Sequence, residues 1–186
     1  MIDYSLFIMN KKDNILKIAL ELFSNQGYEN TSTSLIAKKA AVSEGLIFRH
    51  FTNKEGLLTE IMNEGIAKIQ PFLDTVINEK DAEKVILKVI ELPYRIILSE
   101  KEFWKLQINI KSQNSKFKKD FDTNKYLIPI YLKLNQAFTD LKFENPELET
   151  QYLFTVLNGL TLSLIELENL NDAKVIINYI QSKYKK

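Results

Sequence analysis

Cysteine is absent from the 186 residues, so disulfide bridges, thiolate metal sites and thiol nucleophiles are excluded. The only histidine is His50, which removes the paired-imidazole metal motifs, and the five glycines form no loop of the kind that cradles a phosphate. With these absent, no catalytic residue, metal or cofactor is expected, and the carboxylate pairs Glu147/Glu149 and Glu166/Glu168 read as solvated or capping charges. The apolar opening, Met1 to Ile8, is far too short to span a bilayer, and it lacks the cationic start and small-residue cleavage site of a secretory leader. A cytoplasmic protein without membrane contact is the expectation. Excess charge is lacking too. A net charge of +1 argues against a chain that coats nucleic acid without sequence preference, because that activity needs a strongly basic domain.

Hydrophobic residues make up 45% of the chain and charged residues 26%, the balance of a soluble globular protein with a real core. Helical punctuation dominates the first sixty residues. Asn10 can cap a first helix whose apolar face is Ile15, Ile18, Ala19, Leu22 and Phe23, and Gly27 stops it. Thr31, Ser32 and Thr33 offer capping hydroxyls to a short second helix with Ile36, Ala37 and Ala40 inside and Lys38 and Lys39 outside. After Ala41 and Val42, Ser43 can cap a third helix that points Ile47 and Phe51 inward and Gly45, Leu46 and Arg49 outward. Thr52 with Glu55 has the spacing of a capping box for a fourth helix. Two short helices about a tight turn, the second presenting an arginine, make a helix-turn-helix suited to the major groove. Between Asn10 and Lys54, seven basic residues (Lys11, Lys12, Lys17, Lys38, Lys39, Arg49, Lys54) stand against four acidic ones (Asp13, Glu21, Glu29, Glu44), a local excess of the right sign.

Beyond residue 54 the pattern is of longer helices. The fourth should run to Asn78 with bends at Gly65 and Pro71. Asp81 should open a fifth on Val85, Val89 and Leu92, with Pro93 as kink or boundary. A short helix over 102–111, a polar turn at 112–116 and a long segment over 117–141 interrupted by Pro129 follow. Pro146 fits the first turn of an apolar helix reaching Glu168, and Asn171 and Asp172 open a last helix on Val175, Ile176, Tyr179 and Ile180. No segment alternates as a strand does. The expected fold is all-α: an N-terminal arm and three-helix DNA-binding head over 1–53, then a larger helical ligand-binding and dimerisation domain over 54–186. Fourteen of the 20 aromatics lie after residue 70, Phe117, Tyr131, Phe138, Tyr152 and Phe154 among them, enough to fill a core or line an apolar pocket.

The segments ALELF with Gly27 and Tyr28, IAKKA, VSEGLIF, HF and NKEGLL, together covering roughly Ile15 to Ile61, resemble the head of the tetracycline-repressor (TetR) family of bacterial transcriptional regulators. The resemblance implies that Thr33, Ser43, His50 and Lys54 lie near DNA phosphates and that Ser34, Glu44, Gly45, Leu46 and Arg49 face base edges. Those chemistries suit the roles, since hydroxyls and a lysine hold phosphate oxygens and an arginine can bind guanine in bidentate fashion. Two positions depart from the family pattern. Ala41 stands where a turn glycine is usual, and Phe48, also facing DNA, stands where a tyrosine would offer its hydroxyl. The resemblance further implies a homodimer through the last two helices, a double-stranded inverted-repeat operator, and release by a small apolar or amphipathic effector. Candidate effector contacts are Phe103, Trp104, Phe121, Tyr126 and Asn158, the last as a polar anchor or an interface hydrogen bond. The rival expectation is a helical protein-interaction module that does not read DNA.

Overall fold

A computed structural model describes residues 10–112, 124–167 and 172–185, and among these every regular element is a helix. The elements are α1 (Lys11–Gln26), α2 (Thr33–Lys39), α3 (Glu44–Phe51), α4 (Lys54–Ile77), α5 (Ala82–Ser112), α6 (Asn124–Asp140), α7 (Pro146–Glu166) and α8 (Ala173–Ser182). The expected arm, the turn after Ser112, and residues Phe117, Phe121, Glu168 and Asn171 lie outside the described residues. Among the described residues, no helix is long and apolar enough to cross a membrane.

Two compact units emerge: Met1–Ile66 with Glu102–Phe121, and Ala67–Lys101 with Asp122–Lys186. These divide the chain differently from the 1–53 and 54–186 division that patterning suggests. The first part of α4 packs with the head because Leu57 and Leu58 are fully buried and Ile61 and Met62 nearly so, in the same compact unit as the buried Ile15, Phe23, Ile36 and Ile47. Each such side chain contributes roughly 1.5–3 kcal/mol through burial, so this apolar stripe decides where α4 belongs.

The first unit also holds the end of α5. Glu102, Lys105 and Asn109 lie on one face at helical spacing and meet the C-terminal end of α1. The fully buried Ser24 hydroxyl donates to Glu102, Lys105 donates to Asn25 Oδ1, and Asn109 Nδ2 donates to the Ser24 carbonyl at 2.8 Å. Across α4, Gly65 makes room for the buried Phe103 ring: a Cβ there would fall 2.2 Å from the ring. Gly65 is therefore a packing position, and α4 runs as one helix through it and through Pro71.

The second unit is organised by the α6–α7 pair with α8 and the first part of α5. Phe138 is fully buried, its ring centroid 4.8 Å from that of Phe143 and 5.7 Å from that of Tyr184. Tyr184 donates to Glu149 at 2.6 Å, and burial with that acceptor raises its phenol above the usual range. Asp81 caps α5 as expected, accepting from Lys84 N at 2.9 Å, and Pro146 sits in the first turn of α7. Pro93 lies inside a continuing helix. The helical dihedrals of α5 break instead at Glu100 (φ −134°, ψ 47°), next to the point where the chain passes from one unit to the other.

Candidate nucleic-acid interface

The recognition region is built by caps. Ser32 Oγ accepts from Leu35 N at 3.1 Å and starts α2; Ser43 Oγ accepts from Leu46 N at 3.3 Å and starts α3. Each cap satisfies an amide that a helix N-terminus otherwise leaves open, worth about 1 kcal/mol. Asn14 Nδ2 donates to the Ala40 carbonyl at 3.1 Å, which ties α1 to the end of α2. The α4 start differs from expectation: Asn53 Oδ1, not Thr52, accepts from Gly56 N at 2.7 Å, because Thr52 ends α3 with φ 66°.

Ala41 turns the chain between α2 and α3 with φ 54°. An L-residue there costs roughly 1–2 kcal/mol, against about 0.5–1 kcal/mol of extra chain entropy that glycine loses on folding. Ala41→Gly is accordingly expected to stabilise the protein by roughly 0.5–1 kcal/mol. Thermal melting checks this, and a lower midpoint would contradict the strain.

On α3, Ile47 is fully buried and Phe51 is 5% exposed, while Gly45, Phe48, Arg49 and His50 are exposed. Phe48 keeps 44% of its surface in solvent, and a side chain added at Gly45 would meet nothing within 4 Å. Ser34 is exposed on α2, and Leu46 is half-buried. One face of α3 is thus anchored in the head and the other is open. The His50 ring lies 5.9 Å from that of Phe51.

Two expected phosphate contacts have partners within the head. Thr33 Oγ1 donates to Glu44 Oε1, joining the first turns of α2 and α3. Lys54 places Nζ 4.1 Å from the Tyr28 ring centroid and 5.9 Å from that of Phe23, and burial lowers its pKa from the usual lysine range. A cation this close to an aromatic face gains roughly 0.5–2 kcal/mol. Tyr28 is itself pushed up to about 12, by burial first and then by the carboxylates of Glu55 and Glu29. Neither pairing shows in the sequence, where the partners stand 11 and 26 residues apart with no periodic relation.

The expected effector residues fall in both units. Phe103 is fully buried and Trp104 is 9% exposed, in the first unit, their ring centroids 6.2 Å apart. Tyr126 is half-buried on α6 and Asn158 is exposed on α7, both in the second. Within the chain Asn158 is therefore not a buried polar anchor, because its position on α7 faces away from the buried Leu153, Leu157 and Leu160. Sequence patterning passed over Gln107. It is 1% exposed, donates through Nε2 to Met62 Sδ at 2.9 Å, and among the described residues leaves Oε1 without a hydrogen-bond partner, as Trp104 leaves Nε1.

Residues 15–61 match the family described as bacterial regulatory proteins, tetR family. The HTH-type transcriptional regulator QacR of Staphylococcus aureus is 47% identical over 55 residues, a stretch that covers 30% of this chain and 29% of QacR. Over nearly the whole chain the fold matches two solved structures. The TetR family transcriptional regulator PfmR from Thermus thermophilus aligns with a TM-score of 0.73 at 17% identity, covering 95% of this chain and 96% of that one. The regulator FadR from Bacillus subtilis, solved in complex with stearoyl-CoA, aligns with a TM-score of 0.64 at 20% identity, covering 92% and 94%. These relatives are transcriptional regulators, not enzymes. Residues 15–61 thus carry a head of the kind found in the TetR family of bacterial regulatory proteins.

Proposed function

We propose that the chain is a homodimeric, ligand-responsive transcriptional repressor, with residues 1–53 as DNA reader and 54–186 as effector-binding and pairing body. The observation that carries the reading is α3: capped by Ser43, buried through Ile47 and Phe51, and open along Gly45, Phe48, Arg49 and His50. Arg49 would bind guanine, while Ser34, Gly45 and Leu46 approach neighbouring base edges. Thr33, Ser43, His50 and Lys54 would set register on phosphates, with Thr33 also orienting Glu44. A second unpartnered surface supports pairing. Leu148, Tyr152 and Leu162 on α7 and Val175, Ile176 and Tyr179 on α8 are all exposed large apolar residues. A cleft of about 180 Å³, lined by Tyr152, Val156, Ile176, Tyr179 and Lys183 among others, opens on the same helices. A two-fold interface of this kind places two recognition helices on an inverted repeat about one DNA turn apart.

The effector shifts the operator-bound state only by its differential affinity for the two states. The acyl-CoA in the FadR structure makes a long apolar chain with a polar end the leading ligand class. Gel retardation with the chain's own promoter DNA tests the reading. Binding should weaken steeply between about 50 and 200 mM salt. Arg49→Ala should cost on the order of 1–3 kcal/mol, roughly ten- to a hundredfold in affinity, with discrimination lost at one base position. Failure to retard promoter DNA at low salt, with Arg49→Ala indistinguishable from the parent, would leave the protein-interaction module as the better account.

A further inference from the structure

We propose that Trp104 and Gln107 form the polar end of the effector site and select a ligand that carries a hydroxyl. The two side chains stand three residues apart on α5, and that spacing brings them together on one helix face. Trp104 Nε1 is a donor, Gln107 Oε1 is an acceptor, both are buried, and neither has a hydrogen-bond partner among the described residues. Buried polar atoms are almost always paired, because an unmade bond costs the full desolvation of the group. Two such atoms of opposite sense, three residues apart on α5 and in the compact unit that holds Met62, offer a donor and an acceptor to an incoming group. The Gln107 amide is oriented by Nε2 donating to Met62 Sδ, which leaves the oxygen as the free end.

One hydroxyl satisfies both atoms: its oxygen accepts from the indole N–H and its proton goes to the glutamine oxygen. A carboxylate or an ester accepts from the indole but sets its oxygen against Oε1. The class selected is therefore a neutral amphiphile with an alcohol end. This assignment rests on the effector-responsive reading above and names the chemistry of that site. It also puts the polar end of the ligand in the same compact unit as α3.

Trp104 is the only tryptophan, so its emission reports the site directly in the full-length protein. Titration with 1-decanol, methyl decanoate and decanoate at pH 8 should give a saturable red shift with the alcohol, at an affinity at least tenfold above the other two. Gln107→Leu should reduce that preference to about one while leaving the melting temperature of the free protein equal or higher, because an unpaired buried oxygen has been removed. A glutamine with a purely structural role predicts a lower melting temperature and an unchanged preference. Equal or tighter binding of the carboxylate, or an emission that none of the three amphiphiles moves, overturns the proposal. Promoter retardation by the same preparation separates the failures: DNA binding with a silent Trp104 sinks the anchor alone, and loss of both sinks the regulator reading with it.

Discussion

Gly65→Ala should lower the melting temperature by several degrees, although alanine is the better helix former. Removing glycine from the interior of α4 gains about 1 kcal/mol of helix propensity. Against this, the new Cβ would lie 2.2 Å from Phe103 Cδ2, 2.3 Å from Cε2 and 2.7 Å from Cγ. Phe103 is fully buried and its ring packs edge-on to Trp104, so it cannot swing aside into solvent. The helices must part by about an ångström to restore van der Waals contact, and overpacking of this kind costs roughly 1–3 kcal/mol before any propensity gain. The clash also strips packing from both flanks of the seam, so the net sign is destabilising, by about 2–4 °C for each kcal/mol at this chain length. Gly45→Ala is the internal control. Its Cβ meets nothing within 4 Å, so it should keep part of the propensity gain and melt no lower than the parent. Equal responses at the two glycines would mean that α4 and α5 do not meet at Gly65.

Val175→Glu combined with Tyr179→Glu should convert the protein into a folded monomer. Both residues are exposed in the chain, at 74% and 61%, so the acids cost little before pairing. In a dimer that buries this face they would place four carboxylates in an apolar seam, and an uncompensated buried charge costs several kcal/mol. Pairing should weaken by roughly 100-fold or more, since each 1.4 kcal/mol is a factor of ten. Light scattering at micromolar concentration should give a mass near 21.7 kDa for the variant and about twice that for the parent, with unchanged helicity. Operator binding should fall with the pairing, because a single head keeps only one half-site. A parent of 21.7 kDa, or a variant that still pairs, rules out α7 and α8 as the seam.

The head was legible because its determinants are local. Caps at Asn10, Ser32 and Ser43 lie within three residues of the amides they satisfy, and Ile47 and Phe51 repeat at one helical turn. The misreadings have tertiary causes. Asn53 displaced Thr52 as the α4 cap because Thr52 is drawn into a positive φ at the end of α3. The break in α5 fell at Glu100, a good helix former, and not at Pro93, because it accompanies a change of packing unit that no residue type announces. Among the expected effector residues, Trp104 was visible as an aromatic in an apolar body. Gln107 was not, since a glutamine on a short helix reads as surface until its burial is known.

The contact between the end of α1 and the segment after Glu102 bears on how such regulators can be recombined. The compact unit that holds α3 is not contiguous in sequence. A chimera cut after residue 53 would leave Leu57, Leu58 and Ile61 to the acceptor protein, along with the groups that satisfy the Ser24 hydroxyl and carbonyl. A graft that carries residues up to Ile66 together with the stretch from Glu102 keeps those bonds and the Gly65–Phe103 seam within one donor. On the proposed reading, operator preference would then travel with both pieces, since Lys105 and Asn109 bond the end of a helix some eighty positions upstream.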